Sequence, residues 1–120
     1  IEIYGNDYPT HDGTCIRDYI HVVDIARAHI YALKNHMKGN VKNSVYNLGS
    51  GNKGYSVLEI ISYLEFKFGE IEKCIKEKRE GDAISLYSNI EKVQKKLNWS
   101  PKFSSLENII ETAISWHISQ

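Results

Sequence analysis

The chain has 120 residues, 42% of them hydrophobic and 25% charged, so it is long enough to form one globular domain with its own core. These proportions exclude an intrinsically disordered, a collagen-like or a disulfide-dense protein. Lysine plus arginine and aspartate plus glutamate both number 15, and a net charge of zero argues against broad nucleic-acid binding, which requires a basic surface.

The ends and the cysteines of the sequence give further expectations. No apolar run reaches the roughly 18 residues of a membrane-spanning helix, and no signal peptide opens the sequence, so no membrane partner is expected. Because the first residue is Ile1 rather than Met, we expect a segment of a longer protein. Cys15 and Cys74 are too few for a disulfide framework or a zinc site, so reduced thiols, a cytosolic protein and no metal are expected.

The first predicted elements are a short strand, a loop and a helix. Residues 1–4 alternate like a strand, and residues 5–14 are rich in turn-forming residue types. After an apolar segment over residues 15–22, apolar side chains recur at helical spacing from Val22 to Met37 and fall on one helix face. A short strand is predicted next, over Ser44–Leu48.

The second half of the chain contains three candidate capping boxes, in which serine is followed three residues later by glutamate. They predict three helix starts: Ser56 with Glu59, Ser88 with Glu91, and Ser104 with Glu107. Gly69 is placed to end the first of these helices, and a further strand is predicted over residues 71–77. The fold class is therefore α/β: a small mixed domain with about four helices and at least three short strands.

Two patterns resemble known cofactor or catalytic motifs. Residues 49–54 spell G-x-G-x-x-G, which is typical of a dinucleotide-binding turn. In that motif the last glycine lies inside the helix, whereas Ser56 is predicted to cap the helix here, so a tight turn is the favoured interpretation. Tyr63 and Lys67 have the Y-x-x-x-K spacing of short-chain dehydrogenases, but we interpret Tyr63 as part of an ordinary amphipathic helix.

Two arginines are candidates for anion binding. The planar guanidinium forms paired hydrogen bonds to phosphate and stays charged, so Arg17 and Arg79 could converge on one diphosphate. Asp82, three residues after Arg79, could accept hydrogen bonds from sugar hydroxyls. The alternative is that the arginines pair with neighbouring acids, which are Asp18 or Asp24 for Arg17 and Glu80 for Arg79.

Other polar and aromatic residues are predicted to be structural. His21 and Asp24 have the spacing of an acid–base pair, but His21 suits a junction before a helix, and Asp24 suits the electropositive first turn of one. Trp99 and Trp116 are predicted to pack in the core or between helices.

Five segments of the chain closely resemble the UDP-glucose 4-epimerase family of the extended short-chain dehydrogenases/reductases. They are residues 4–10, 12–22, 46–49, 56–59 and 79–82. The resemblance covers essentially the whole chain and corresponds to roughly the last third of such an enzyme. Many nucleotide-sugar epimerases and dehydratases share residues 17–22, so the long loop over residues 5–14 is the specific part.

The resemblance implies a two-domain enzyme that interconverts UDP-glucose and UDP-galactose through a 4-keto intermediate. Its N-terminal Rossmann domain holds NAD and the catalytic tyrosine and lysine, and residues 1–120 correspond to the C-terminal, UDP-sugar-binding domain. The chain alone is then expected to be inactive and to bind no NAD. The resemblance also implies a cytoplasmic and often dimeric enzyme. Two alternatives stay open: a related nucleotide-sugar epimerase or dehydratase, such as a UDP-N-acetylglucosamine 4-epimerase, and a non-catalytic UDP-sugar-binding remnant.

The same resemblance implies a set of substrate-binding residues and no catalytic residue in this chain. Arg17 and Arg79 match diphosphate ligands, and Asp82 matches a ribose-hydroxyl acceptor. The other matches are Tyr19, which lines the same site; Glu2 and Tyr4, on a strand whose backbone binds uracil; Val57, an apolar contact beside that base; and Leu86.

Leu86 matches the position beside the C2 substituent of the sugar, although packing of Leu86 in the core is an alternative. A large aromatic side chain there leaves room only for a hydroxyl, so leucine predicts some tolerance for N-acetylated sugars. The sequence departs from the family at Lys78, where arginine is common, and at Ala83, where proline often follows the aspartate.

Overall fold

The computed structural model describes residues 1–40 and 44–120, which form four helices and five short strands. The α/β class predicted from the sequence is confirmed. The chain folds into two compact units, each made from two stretches of sequence. The first unit comprises Ile1–Asp18 and Lys53–Tyr87, and the second comprises Tyr19–Asn52 and Ser88–Gln120.

The first unit contains all five strands and one helix. They are β1 (Glu2–Tyr4), β2 (Ile16–Arg17), β3 (Tyr55–Ser56), β4 (Cys74–Lys76), β5 (Ser85–Leu86) and the helix α2 (Val57–Phe68). In one sheet β1 runs parallel to β4, and in the other β2 lies between antiparallel β3 and parallel β5. The strand predicted over residues 71–77 is therefore present, but shorter.

Helix α2 begins and ends as the sequence predicts. The Ser56 hydroxyl accepts a hydrogen bond from the Glu59 N–H at 3.0 Å, and the Glu59 carboxylate accepts one from the Ser56 N–H at 2.7 Å. Asp12 ties the long loop to this helix start, because its carboxylate accepts hydrogen bonds from the Ser56 hydroxyl and from Thr14. The helix ends at Gly69, which has a φ of 88°.

The second unit is built on three helices around a small apolar core. Helix α1 spans Val22–Met37, as predicted, and α3 and α4 span Glu91–Leu97 and Leu106–Ile118. The core is formed by residues with at most 8% of their surface exposed: Ala28, Ile90, Val93, Leu97 and Trp99. The prediction for Trp99 is therefore confirmed.

One prediction about apolar burial in this unit is wrong, and one apolar helix face is exposed. The apolar face whose spacing predicts α1 is largely exposed, since Val22 is 72% and Met37 77% exposed, and the helix instead packs through Ala28 and its neighbours. Trp116, predicted to be packed, is 59% exposed on α4. Hydrophobic periodicity predicted these helices correctly, but it did not show which helix face is buried by other residues of this chain.

Two of the predicted helix starts are shifted, that of α3 by two residues and that of α4 by one. Ser88 does not cap α3; the Asn89 side chain accepts a hydrogen bond from the Glu91 N–H at 2.9 Å instead. Helix α4 is capped by Ser105, because the neighbouring Ser104 is buried and its hydroxyl donates to Asp24 at 2.7 Å.

The strand predicted over Ser44–Leu48 is also wrong. Within residues 1–40 and 44–120 no strand pairs with this segment, and Tyr46 and Leu48 pack against the helical core instead. A strand needs a neighbour to satisfy its backbone groups, so the local pattern alone was insufficient.

Three properties of the described residues concern broad function classes. No helix among them has both the length and the apolar character needed to cross a membrane. Their histidines, cysteines and acidic residues form no group of three or more that could hold a metal ion. Cys15 is buried and Cys74 is exposed, and both are free thiols.

Candidate functional site

Arg17 and Arg79, which are far apart in the sequence, meet at one carboxylate in the first unit. Arg17 Nη2 lies 3.1 Å from Oδ1 of Asp82, and Nε and Nη2 of Arg79 both lie 3.1 Å from Oδ2. Both arginines therefore pair with Asp82. The structure thus brings together three of the residues that the sequence analysis selected.

The two arginines differ in how firmly they are held. Nη1 of Arg17 also donates to the carbonyl oxygens of Ile16 and Ala83, at 2.8 and 2.7 Å, and its side chain is 25% exposed. The Arg79 side chain is 60% exposed, and its polar contacts among the described residues run to Asp82 alone. The Arg17 side chain is therefore held in place by the backbone around it, whereas the Arg79 side chain extends toward solvent.

An aromatic ring supports Arg79 on a second side. The guanidinium carbon of Arg79 lies 4.6 Å from the centroid of the Tyr4 ring, within cation–π range. The Tyr4 hydroxyl donates to the Glu2 carboxylate at 2.7 Å, and this negatively charged acceptor raises the pKa of Tyr4 above its usual value. The family resemblance implied only a backbone role for Tyr4. The signal for its side-chain contact was its spacing of two residues from Glu2 on a strand, which places both side chains on one face.

The backbone of β1 leaves one edge without a strand partner. The carbonyl of Ile1 and the N–H of Gly5 both bond to β4, each at 2.9 Å. Because alternate residues of a strand direct their backbone groups to opposite edges, those of Glu2 and Tyr4 face away from β4. In the part of the chain that the structure describes, no strand pairs with that edge.

Lys78, at a position where the family commonly has arginine, connects the segment that carries Arg79 to the long loop over residues 5–14. Its Nζ donates to the Asp7 carbonyl at 3.2 Å, lies 2.9 Å from the Asp7 carboxylate, and is 4.6 Å from the centroid of the Tyr8 ring. The hydrogen bond from Lys78 lowers the pKa of Asp7 below its usual value. Lys78 therefore supplies a cationic contact at this place.

The remaining predicted site residues lie in both units. Leu86 pairs with Arg17 in the parallel register of β5 and β2 and is 61% exposed, so the alternative that it packs in the core is wrong. Val57 is half-buried at the start of α2. Tyr19 belongs to the second unit, and its place in the site stays a prediction.

His21 and Asp24 have structural roles in the second unit. His21 Nδ1 accepts from the Val23 N–H at 3.0 Å and thereby caps α1, and Nε2 lies 2.8 Å from the Thr112 hydroxyl. Asp24 is fully buried and accepts hydrogen bonds from a ring of donors: the backbone N–H groups of Lys102 and Phe103, the Ser104 hydroxyl and the Arg27 guanidinium.

The glycine run over residues 49–54 does not have the form of a dinucleotide-binding turn, in which the last glycine lies inside the helix. Gly54 precedes β3, and the two residues of β3 separate the glycine run from α2, whose first turn is capped by Ser56. Gly54 has a φ of 79°, and a Cβ there would lie 2.6 Å from the Arg17 carbonyl oxygen. The glycine therefore allows β3 to approach β2 closely. Lys67 Nζ lies 5.5 Å from the centroid of the Tyr63 ring, as expected for two residues on one helix face.

Comparison with known proteins relates the chain to one enzyme class. Residues 1–49 match the "NAD dependent epimerase/dehydratase family". The UDP-glucose 4-epimerase of Lacticaseibacillus casei is 47% identical over 118 residues, which are 98% of this chain and 35% of that protein.

Solved structures agree. A crystal structure of a UDP-glucose 4-epimerase matches with a TM-score of 0.93 and 42% identity, covering 100% of this chain and 36% of that one. The UDP-glucose 4-epimerase of Bifidobacterium longum, solved in complex with NAD+ and UDP, matches with a TM-score of 0.86 and 36% identity, covering 100% and 35%. The chain thus spans about a third of the length of these relatives, and the resemblance found in its motifs is confirmed.

Proposed function

We propose that this chain is the substrate-binding part of a UDP-glucose 4-epimerase and binds UDP-glucose and UDP-galactose. It is homologous to about a third of the length of such enzymes. The observation that carries the proposal is the meeting of Arg17 and Arg79 at Asp82. Two guanidinium groups share one carboxylate, so the cluster keeps an excess of one positive charge. A diphosphate is the anion that suits two convergent guanidinium groups.

The arrangement leaves hydrogen-bonding capacity for a nucleotide. Each guanidinium has five N–H donors, and Nη1 of Arg79 takes no part in the contacts with Asp82. A carboxylate has about four lone-pair positions, so Asp82 retains acceptor positions for ribose hydroxyls while it holds both arginines.

The uracil is proposed to lie along the open edge of β1. The backbone groups of Glu2 and Tyr4 face that edge, and uracil presents both N–H and carbonyl groups that match a strand backbone. Val57 would supply the apolar contact beside the base.

The reaction itself is proposed to need the longer enzyme. In that enzyme NAD, held by the other domain, would supply the hydride chemistry at C4 of the sugar, and residues 1–120 form the UDP-sugar-binding domain, inactive alone. We further propose a cytoplasmic homodimer in galactose metabolism, with no nucleic-acid or membrane partner. Two free cysteines support a reducing compartment.

Titration of this chain with UDP, in a calorimeter, tests the proposal. UDP is expected to bind clearly more tightly than uridine, because only UDP has the diphosphate. It should also bind more tightly than ADP, because adenine lacks the ring N–H and carbonyl groups by which uracil would pair with the backbone of β1. Equal affinity for UDP and uridine would contradict the role of the arginines. A longer protein that binds UDP-glucose without epimerising it would support the non-catalytic alternative. Turnover of UDP-glucose by residues 1–120 alone would contradict the proposal that the reaction needs the longer enzyme.

Leu86→Tyr is expected to narrow the sugars that the longer enzyme accepts. A ring at this exposed position adds bulk beside the C2 substituent, so activity on UDP-N-acetylglucosamine should fall at least tenfold, whereas activity on UDP-glucose should fall much less. Because Leu86 is 61% exposed, the melting temperature should stay close to that of the wild type. Steady-state kinetics on both sugar classes provides the measurement.

Ser85→Tyr is the matched control for this substitution. It adds the same ring at the neighbouring, exposed position of β5, whose side chain points to the opposite face of the strand. The ratio of the two activities should stay unchanged in this variant. Equal losses on both sugars in Leu86→Tyr would show that Leu86 does not line the sugar pocket.

A further inference from the structure

Arg79 is the exposed member of the arginine pair, and its position depends on few contacts. Its side chain is 60% exposed, whereas that of Arg17 is 25% exposed and is held by two backbone carbonyls. An arginine side chain in solvent has several rotatable bonds and loses much rotamer entropy when it is held in one conformation. Something other than burial must therefore fix the direction of its guanidinium.

The Tyr4 ring lies where it can fix that direction. Asp82 contacts the Nε and Nη2 side of the guanidinium, and the Tyr4 ring centroid lies 4.6 Å from its central carbon. The carboxylate contacts one edge of the guanidinium, so the guanidinium can still tilt about that edge. A ring beneath its flat face opposes this tilt. The two contacts are thus complementary.

Tyr4 is itself held in place at both ends. Its backbone is in β1, in register with Lys76 of β4, and its hydroxyl donates to Glu2 at 2.7 Å. Lys76 Nζ lies 3.5 Å from the other Glu2 oxygen, so the acceptor of this hydrogen bond is also paired. A ring fixed by a strand and by a hydrogen bond is a suitable support for a mobile side chain.

We propose that the Tyr4 side chain is a positioning residue for Arg79 and, through it, for the diphosphate of the nucleotide sugar. This inference rests on the proposed function and adds a side-chain role to a residue expected to act through its backbone. Tyr4 holds the guanidinium in one orientation before the ligand arrives, so less rotamer entropy is lost on binding. Its ring does not need to touch the ligand.

The test compares UDP and uridine binding in three forms of the chain by calorimetry. Tyr4→Leu removes the ring, and the affinity for UDP is expected to fall about two- to fivefold, the effect of one exposed cation–π contact. The affinity for uridine should fall less than the affinity for UDP, because the substitution keeps the backbone groups of β1 that are proposed to bind uracil, and uridine has no diphosphate for Arg79 to bind. Tyr4→Phe keeps the ring on β1 but loses its hydrogen bond to Glu2, so it should restore most of the affinity for UDP.

Tyr63→Leu is the matched control in the same unit. It removes the ring beside Lys67 on α2, which is another tyrosine–cation pair at 5.5 Å, and it should leave the ratio of UDP to uridine affinity unchanged. If Tyr4→Leu lowers both affinities equally, the ring contacts the base or the fold and the inference is wrong. If wild type binds UDP no better than uridine, the proposed function itself fails.

Discussion

Arg79→Ala is expected to lower the affinity for UDP about ten- to hundredfold while leaving the stability of the chain nearly unchanged. The variant removes charge-assisted hydrogen bonds to the diphosphate, which contribute about 1.5–3 kcal/mol. Its side chain is largely exposed and contacts only Asp82 and Tyr4 among the described residues, so the folded state loses little. Calorimetry with UDP and urea unfolding would measure the two effects separately.

Arg17→Ala should lower the affinity for UDP by a similar factor and also destabilise the first unit. Arg17 donates to the carbonyls of Ile16 and Ala83, and these interactions are lost together with the ion pair to Asp82. Arg79→Lys provides a control that keeps the charge but not the planar fork, and it should recover only part of the affinity. Unchanged UDP affinity in both alanine variants would contradict the proposed diphosphate site.

Asp24→Ala is expected to lower the free energy of unfolding by about 3–5 kcal/mol, the largest stability effect predicted for this chain. Asp24 is 0% exposed, and its carboxylate accepts from Lys102, Phe103, Ser104 and Arg27. Alanine leaves these donors without their acceptor and the Arg27 charge without its partner. Urea unfolding followed by circular dichroism would provide the measurement.

Asp24 also predicts the direction of a pH dependence. Burial acts to raise the pKa of Asp24, but the hydrogen bonds from Lys102, Phe103, Ser104 and Arg27 outweigh it and hold the pKa below the usual value of 3.8. A carboxyl whose pKa is lower in the folded state stabilises that state above the unfolded pKa. This stabilisation should be lost as the pH falls below about 4 and through the folded pKa.

Asp24→Asn keeps the shape of the side chain without its charge and should reduce the acid sensitivity of unfolding. Asp7→Ala is the control, because Asp7 also has a lowered pKa but its side chain is 73% exposed. It should leave the unfolding free energy near the wild-type value. Wild-type pH dependence in Asp24→Asn would show that Asp24 is not the group responsible.

The local signals in the sequence were sufficient for several elements. The helix over Val22–Met37 has the predicted bounds, and the capping box at Ser56 and the end at Gly69 are both present. These features depend on contacts between residues a few positions apart, so a single sequence contains all the partners.

Other elements depended on partners that the local pattern does not contain. Ser44–Leu48 has a strand pattern but no strand beside it among the described residues. Which of two adjacent serines caps α4 was decided by Asp24, which engages Ser104 and leaves Ser105 for the cap. The exposed Trp116 and the exposed apolar face of α1 show that periodicity marks an apolar face without indicating whether this chain covers it.

For the site, the sequence by itself determined the residue types: two arginines able to bind a diphosphate, an aspartate near one of them, and the motifs that relate the chain to UDP-glucose 4-epimerases. Only the tertiary structure decided that Arg17 and Arg79 share Asp82 and that the Tyr4 ring lies against Arg79. The physical reason is that the functional groups of a side chain are set by the identity of that one residue, which the sequence gives directly. The distance between two side chains depends instead on the pairing of β2 with β5 and of β1 with β4, which residues distant in the sequence create together.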